Sequence, residues 1–418
     1  MGLATLGQTE IIRTFIALAL LLLSAFLFGT LIEKIKGPRV VGEILGGMLI
    51  GGSGLFLLAP DLMKSIFNAY PEEGKVLNVF YQLGLIFLMF LSGFSTKIEV
   101  ERKNLKVISL VFVGATLLPM LGSIPFFNMF QEHFIGDKGN VFSYRLVFAI
   151  GVAITSIPVI SKIFFDMGVM NTKFSNTVLT VSTFQDLLLW IMLNMASRVA
   201  DSGKLSLVDT IVVSIATIGI FVVVTVASKF LKDIKIKLPT NIFYTLSFVA
   251  LLLVSGLLYM IGINIMYSAF LVGYIVKTLF GKTAEANERV KYLEHFVFSF
   301  FVPIYFALVG IQLNVFHNFS IVRFVLFFAI AFGLEFIGTW IFLIPGKISN
   351  STKLNFAITM NARGGPGIVL ATVAYGAGII SVEFFTVLIL TTMLSSMIAG
   401  YFLRFRQRRD KNVFEKID

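Results

Sequence analysis

Apolar residues run through this chain in long, nearly unbroken blocks separated by short charged or Gly/Pro-rich gaps. That pattern is neither the one-faced period of a surface helix nor the alternation of a strand. It predicts a series of membrane-spanning helices. A bilayer core of about 30 Å needs roughly 20 apolar residues per helix. Cut on that rule, the sequence predicts thirteen segments, at about 11–32, 39–59, 76–95, 107–128, 144–166, 175–198, 207–230, 240–258, 261–280, 293–313, 322–345, 353–375 and 380–403. The weakest boundary is at "MIGIN", between the eighth and ninth. No basic flank precedes the first block and no clear cleavage site follows it, so it reads as a retained helix and not as a signal peptide.

Composition agrees with this reading and narrows it. The chain is 57% hydrophobic and 14% charged, with a mean hydropathy of +0.91, as expected of a polytopic all-α membrane protein. It has no cysteine, which excludes disulfides, thiolate metal sites and cysteine nucleophiles. Its three histidines, His133, His295 and His317, fall in or near predicted loops and make no metal-binding pattern. The net charge of +11 is scattered between apolar blocks. It therefore points to orientation in a bilayer and not to nucleic acid. With the C-terminus inside, 25 of the 34 Lys and Arg lie on the inner side, 8 on the outer side, and Arg363 within a span. The positive-inside rule then places the N-terminus outside. After the last span only about 15 residues follow, too few for a regulatory domain. No HExxH, GxSxG or suitably spaced aspartate pair is present, so the chain does not read as an enzyme.

Two of the predicted spans are interrupted in the same way. The fifth contains "AITSIPVISK", with Thr155 and Ser156 ahead of Pro158; the twelfth contains "MNARGGPGIV", with Gly364, Gly365, Pro366 and Gly367. Proline removes a backbone donor and glycine weakens helix, so both are expected to unwind near mid-membrane. The two lie seven segments apart, an odd offset that reverses orientation and makes them equivalent parts of an inverted repeat. Paired discontinuous helices in inverted halves point to a secondary transporter with a midplane site. Segments two ("VVGEILGGMLIGG") and nine ("YSAFLVGYIVKT") are also seven apart and rich in small residues. Close helix packing accounts for them better than unwinding does.

A few charges sit deep in this apolar frame. Asp186, in "VSTFQDLLLWIML", is about a dozen residues from either end of its span and cannot snorkel. An aspartate at a helix centre costs about 2.5–3.5 kcal/mol on insertion scales, and such residues mark ion pathways. A proton and a cation compete for the same carboxylate oxygens, and such competition is exchange. Gln185 offers a carbonyl oxygen to the cation's shell or an amide to a neighbouring helix; because adjacent residues face different directions on a helix, it reads as a supporting group of the ion site. Thr155 and Ser156 offer hydroxyl and freed carbonyl oxygens to a monovalent cation held with Asp186. Glu335 and Arg363 are the other deep charges; an ion pair between them, or Arg363 against a half-helix end, is the simplest arrangement. Glu43 lies about one turn inside the second segment, near the inner side.

These stretches resemble the monovalent cation:proton antiporter-2 family. "GPRVVGEILGGMLIG" is similar to its opening motif, "AITSIPVISKIFFDMGVMNTKFSNTVLTVSTFQD" to its two core helices, and "FVPIYFALVGIQLNV" and "MNARGGPGIVLATVAYGAGIIS" to its later ones. The resemblance covers nearly the whole chain. It implies a sodium/proton antiporter fold of thirteen helices, in which two broken helices from inverted repeats cross. It further implies a homodimer whose core domain moves against a dimerisation domain. On that expectation residues 1–403 are one transmembrane domain, with core helices at about 107–198 and 322–403 and dimerisation helices at about 11–95 and 207–313. Residues 404–418 are then a basic cytoplasmic tail, and the setting is a bacterial inner membrane. Electrogenic relatives carry two adjacent aspartates where this chain has Gln185-Asp186, and a lysine in the segment of Glu335. The Gln-Asp pair is similar to that of potassium efflux antiporters, which implies electroneutral exchange of K+ (or Na+) for H+, with no cofactor beyond the transported ions. Those relatives carry a nucleotide-binding regulatory domain, a role that here falls to a separate subunit if to anything. The same groups also suit a cation channel, or a sensor or assembly subunit that has lost transport.

Overall fold

The structure, a computed structural model, describes residues 5–95, 104–170, 172–202, 238–260, 263–280, 284–317, 319–346, 348–410 and 413–414, with scattered helical positions between 212 and 226. The seventh predicted segment, about 207–230, and the loops around 97–103 and 229–237 therefore lie largely outside the described residues. Among the described residues nine helices are long and apolar enough to cross a membrane, and two shorter apolar ones, Val141–Val152 and Ile265–Phe280, accompany them. The described residues are all-helical or irregular apart from one antiparallel bridge between Ile135 and Ile380.

The chain folds as two compact units. The first comprises Met1–Phe94, Leu231–Ser255 and Ser268–Phe319. In it the helix Arg39–Ile50 packs against both Gln8–Lys34 and Phe301–Gln312, over a core of Ala17, Leu21, Ala25, Ile50, Ile304 and Ala307. Glycine makes these contacts possible. A Cβ on Gly47 would lie 2.0 Å from the Ala307 carbonyl oxygen, and one on Gly93 would lie 1.9 Å from that of Phe270. The small residues of segments two and nine thus serve close backbone packing. Two segments differ from the expectation, the first being 39–59, which is divided at 51–54 into Arg39–Ile50 and Leu55–Leu58. The second, the predicted segment 293–313, is two helices, Ala284–Ser299 and Phe301–Gln312, separated at Phe300. Pro303 explains the break: it has no N–H to give Ser299, and in a first turn that loss does not matter.

The second unit comprises Ser95–Phe230, Gly256–Tyr267 and Ser320–Asp418. Several of its helices start at a side chain that accepts the third amide of the helix: Asn140 for Ser143, Ser320 for Arg323, Ser349 for Thr352 and Ser381 for Phe384. Both expected breaks are present. Val141–Val152 gives way to non-helical backbone over 153–156 before Ile157–Asp166 begins. Asn350–Thr359 gives way over 360–363 before Gly364–Gly376. Two aromatic clusters hold opposite halves of these helices. Phe130, Phe134, Phe148, Phe327 and Phe384 pack together about Val141–Val152, while Phe164, Phe174, Phe356 and Phe414 pack about Ile157–Asp166 and Asn350–Thr359.

Candidate ion-binding site

The two breaks are bonded to each other. Ser156 donates its amide to the Ala362 carbonyl (2.6 Å), and Thr155 donates its hydroxyl to that of Met360. Gly365 donates its amide to Ser156 Oγ (3.2 Å). The Ala362 carbonyl, which Pro366 leaves without a helical donor, is in this way satisfied by the other break, as burial away from water requires. The fit is tight at Gly364. Its φ is +36°, and a Cβ there would meet Ser156 Oγ at 2.5 Å and Val159 Cγ2 at 2.3 Å. A side chain is therefore excluded twice, by backbone conformation and by space.

The two deep charges meet at this crossing. Arg363, fully buried, donates from Nη2 to Glu335 Oε2 at 2.8 Å and to the carbonyl of Val152 at 2.9 Å. Val152 is the last residue of its half-helix, so the guanidinium neutralises both a carboxylate and the negative end of a helix dipole. Thr155 Oγ1 lies 3.3 Å from Glu335 Oε1, tying the pair to the first break. Of the three carboxylates buried in this unit among the described residues, Glu335 has Arg363, and Glu383 has Arg323 at 2.7 Å. Asp186 has no cation among the described residues.

Asp186 sits on the long helix Lys173–Ser202, 3% exposed, and its Oδ1 has no hydrogen-bond partner among the described residues. Gln185, beside it, is buried and points its Nε2 at the carbonyl of Ala115, 3.2 Å away. Its Oε1 is left without a partner. Ala115 lies in a π-helical turn, Val113–Leu117, within the helix that runs from Leu105. Among the described residues neither Asp186 nor Gln185 is hydrogen-bonded to the crossing.

The remaining sequence candidates fall into place differently. Ser156 Oγ accepts from Gly365 and from Val159 (3.3 Å), so both its lone pairs are engaged. It caps two helix starts. Thr155 Oγ1 gives its proton to Met360 and keeps its lone pairs. Glu43 belongs to the first unit, where it pairs with Arg39 at 3.0 Å, and Arg39 also approaches Glu33 at 3.6 Å. Among the described residues no group of three or more His, Asp or Glu gathers in a way that would hold a metal ion. Two residues were not picked out in the sequence. Ser396 accepts the Gly364 amide at 3.0 Å, and Asn361, buried in the second break, holds an unpartnered Oδ1. Asn361 was readable from its place in "MNARGG"; nothing separates Ser396 from the other small residues of "MLSSMIAG" until the helices are packed.

Comparison with known proteins places this geometry in a context. Residues 22–406 match the family model described as "Sodium/hydrogen exchanger, transmembrane". The chain is 27% identical over 388 residues to the Na+/H+ antiporter NhaS4 of Synechocystis sp., covering 90% of this chain and 92% of that protein. It is 25% identical over 387 residues to K+/H+ antiporter 1 of Saccharomyces cerevisiae, covering 88% of this chain but only 43% of the yeast protein. Among solved structures it is similar to the sodium proton antiporter MjNhaP1 of Methanocaldococcus jannaschii, with a TM-score of 0.61 at 18% identity, covering 98% of this chain and 99% of the other.

Proposed function

The chain belongs to the transmembrane sodium/hydrogen exchanger family, and we propose that it is a secondary-active antiporter in which a proton and a monovalent cation take turns on Asp186. The observation that carries this reading is the contrast among the buried carboxylates. Glu335 and Glu383 each hold an arginine, while Asp186 keeps a buried oxygen that no group among the described residues satisfies. A buried carboxylate without a partner is strongly unfavourable when ionised, so it must bind something positive. A proton and a monovalent cation both meet that need, and each excludes the other.

Alternating access follows from the same electrostatics. An ionised Asp186 is too costly to carry through an apolar barrier, so only the loaded site crosses. Each crossing then carries one cation or one proton, and the cycle is electroneutral. Gln185 Oε1 and Thr155 Oγ1 are the neutral oxygens that would complete the cation's shell, with Ser156 holding the crossing in register. The Glu335–Arg363 pair is internally neutral and stays structural through the cycle. The second unit, which contains the crossing, is the moving body; the first is the scaffold through which two copies associate. Both K+ and Na+ suit such a site. K+ is the favoured ion, on the resemblance of the Gln185-Asp186 pair.

The test is exchange in proteoliposomes loaded with a pH-sensitive dye. K+, Na+ or Li+ is added outside, with the membrane potential clamped or free. Cation-driven proton movement that ignores the clamp and vanishes in Asp186→Asn supports the proposal. Current without pH change would identify a channel. No movement with any cation, in protein that elutes as a folded species, would favour a sensor or assembly subunit.

A further inference from the structure

The π-helical turn beside Gln185 has a cause in the sequence. In a regular α-helix the Ala115 carbonyl would accept from the amide of residue 119, and residue 119 is proline, which has none. The helix widens over Val113–Leu117, and the Ala115 carbonyl takes the side-chain amide of Gln185 instead, at 3.2 Å. Turns of this kind recur at functional sites. The turn is also held from behind. Gly114 and Gly338 lie so close that a Cβ on either would fall within 2.6 Å of the other's carbonyl oxygen, which pins it to the helix that carries Glu335.

The bond decides which way Gln185 points. A carbonyl only accepts, so the nitrogen of the amide must face Ala115 and the oxygen must face away. Gln185 Oε1 is the atom left buried and unpartnered, one residue from Asp186. We propose that Pro119 is a positioning residue of the exchange site: by removing a helix amide it makes the Ala115 carbonyl available, and that carbonyl orients the Gln185 amide so that its oxygen is presented to the cation. This rests on the antiport reading above. It assigns to the proline a role in cation affinity that its place in an apolar span does not suggest.

A double-mutant cycle tests it with two independent readouts. Pro119→Ala restores an amide that can take the Ala115 carbonyl, and Gln185→Leu removes the side chain's amide. In thermal unfolding of the purified protein, Gln185→Leu leaves a buried carbonyl unsatisfied in the Pro119 background and lowers Tm by several degrees. In the Pro119→Ala background the backbone takes over, and the same substitution costs about a degree or less. In proteoliposomes Pro119→Ala raises the half-saturating cation concentration about fivefold with kcat little changed, the loss expected of one neutral hydrogen bond. Adding Gln185→Leu then raises it no more than Gln185→Leu does alone. Equal Tm losses in both backgrounds would overturn the pairing. An unchanged half-saturating concentration in Pro119→Ala, or effects that multiply, would overturn the role in affinity. Absence of exchange in the wild-type protein would instead refute the antiport reading, and the unfolding cycle would still decide the pairing.

Discussion

The strongest mechanical prediction concerns the Glu335–Arg363 pair. The perturbation is Glu335→Gln, which keeps the shape and removes the charge. At 2.8 Å two unit charges attract by about 6 kcal/mol at an effective dielectric constant of 20 and by about 1.5 kcal/mol in water. The difference is close to the roughly 3–5 kcal/mol that losing one partner of a buried pair costs. Arg363 keeps its bond to the Val152 carbonyl, which places the loss at the lower end, about 3 kcal/mol. A guanidinium cannot shed its proton to escape, whereas a carboxylate left alone can gain one. Arg363→Met should therefore be milder than Glu335→Gln. The double variant Glu335→Leu/Arg363→Met, with no charge left to desolvate, should recover most of the loss. Thermal unfolding in detergent reads these changes, with Glu335→Gln expected to lower Tm by about 3 °C. A Glu335→Gln protein that melts within a degree of wild type would refute the reasoning, as would losses that simply add in the double variant.

Other outcomes follow from the same structure. Asp186→Asn should abolish exchange while leaving Tm unchanged or slightly raised, since it removes an uncompensated buried acid; flux and unfolding measured on one preparation check both. Thr155→Val keeps the volume but loses the hydroxyl's bond to Met360 and its lone pairs, and should raise the half-saturating cation concentration several-fold. Because proton and cation compete, lowering the pH should raise that concentration, approaching tenfold per unit once protons dominate the site, without lowering the maximal rate at saturating cation; a fall in maximal rate alone would argue against a shared site. In the first unit Gly93→Ala forces a methyl into the space of the Phe270 carbonyl and should destabilise by about 2–3 kcal/mol, visible as loss of folded protein on gel filtration.

Sequence legibility followed the range of the interactions. The breaks at 153–156 and 360–363 were readable because proline and glycine act on their own helix, removing donors at fixed offsets. Asp186 was readable because an acid a dozen residues from either end of an apolar span has nowhere to go but inward. What the residues around it do was not. Pro119 reads as a kink in an apolar span, and the group that answers its missing amide comes from Gln185, distant in sequence. That Ser156 caps Gly365 of the other break is visible only once the two breaks are packed together. Ser396 reads as one small residue among several. The division of segment 293–313 at Phe300 was within reach of local reasoning, since Pro303 removes the amide that would have continued the helix. The apolar run across the break outweighed it.

The claim at the centre of this account is that one carboxylate holds either a proton or a cation. Proton release on cation binding measures this most directly, in detergent-solubilised protein with a weakly buffered indicator and K+ or Na+ as titrant. The wild-type protein should release one proton per cation bound, and Asp186→Asn should show neither binding nor release. Cation binding without proton release, or release that persists in Asp186→Asn, would contradict it.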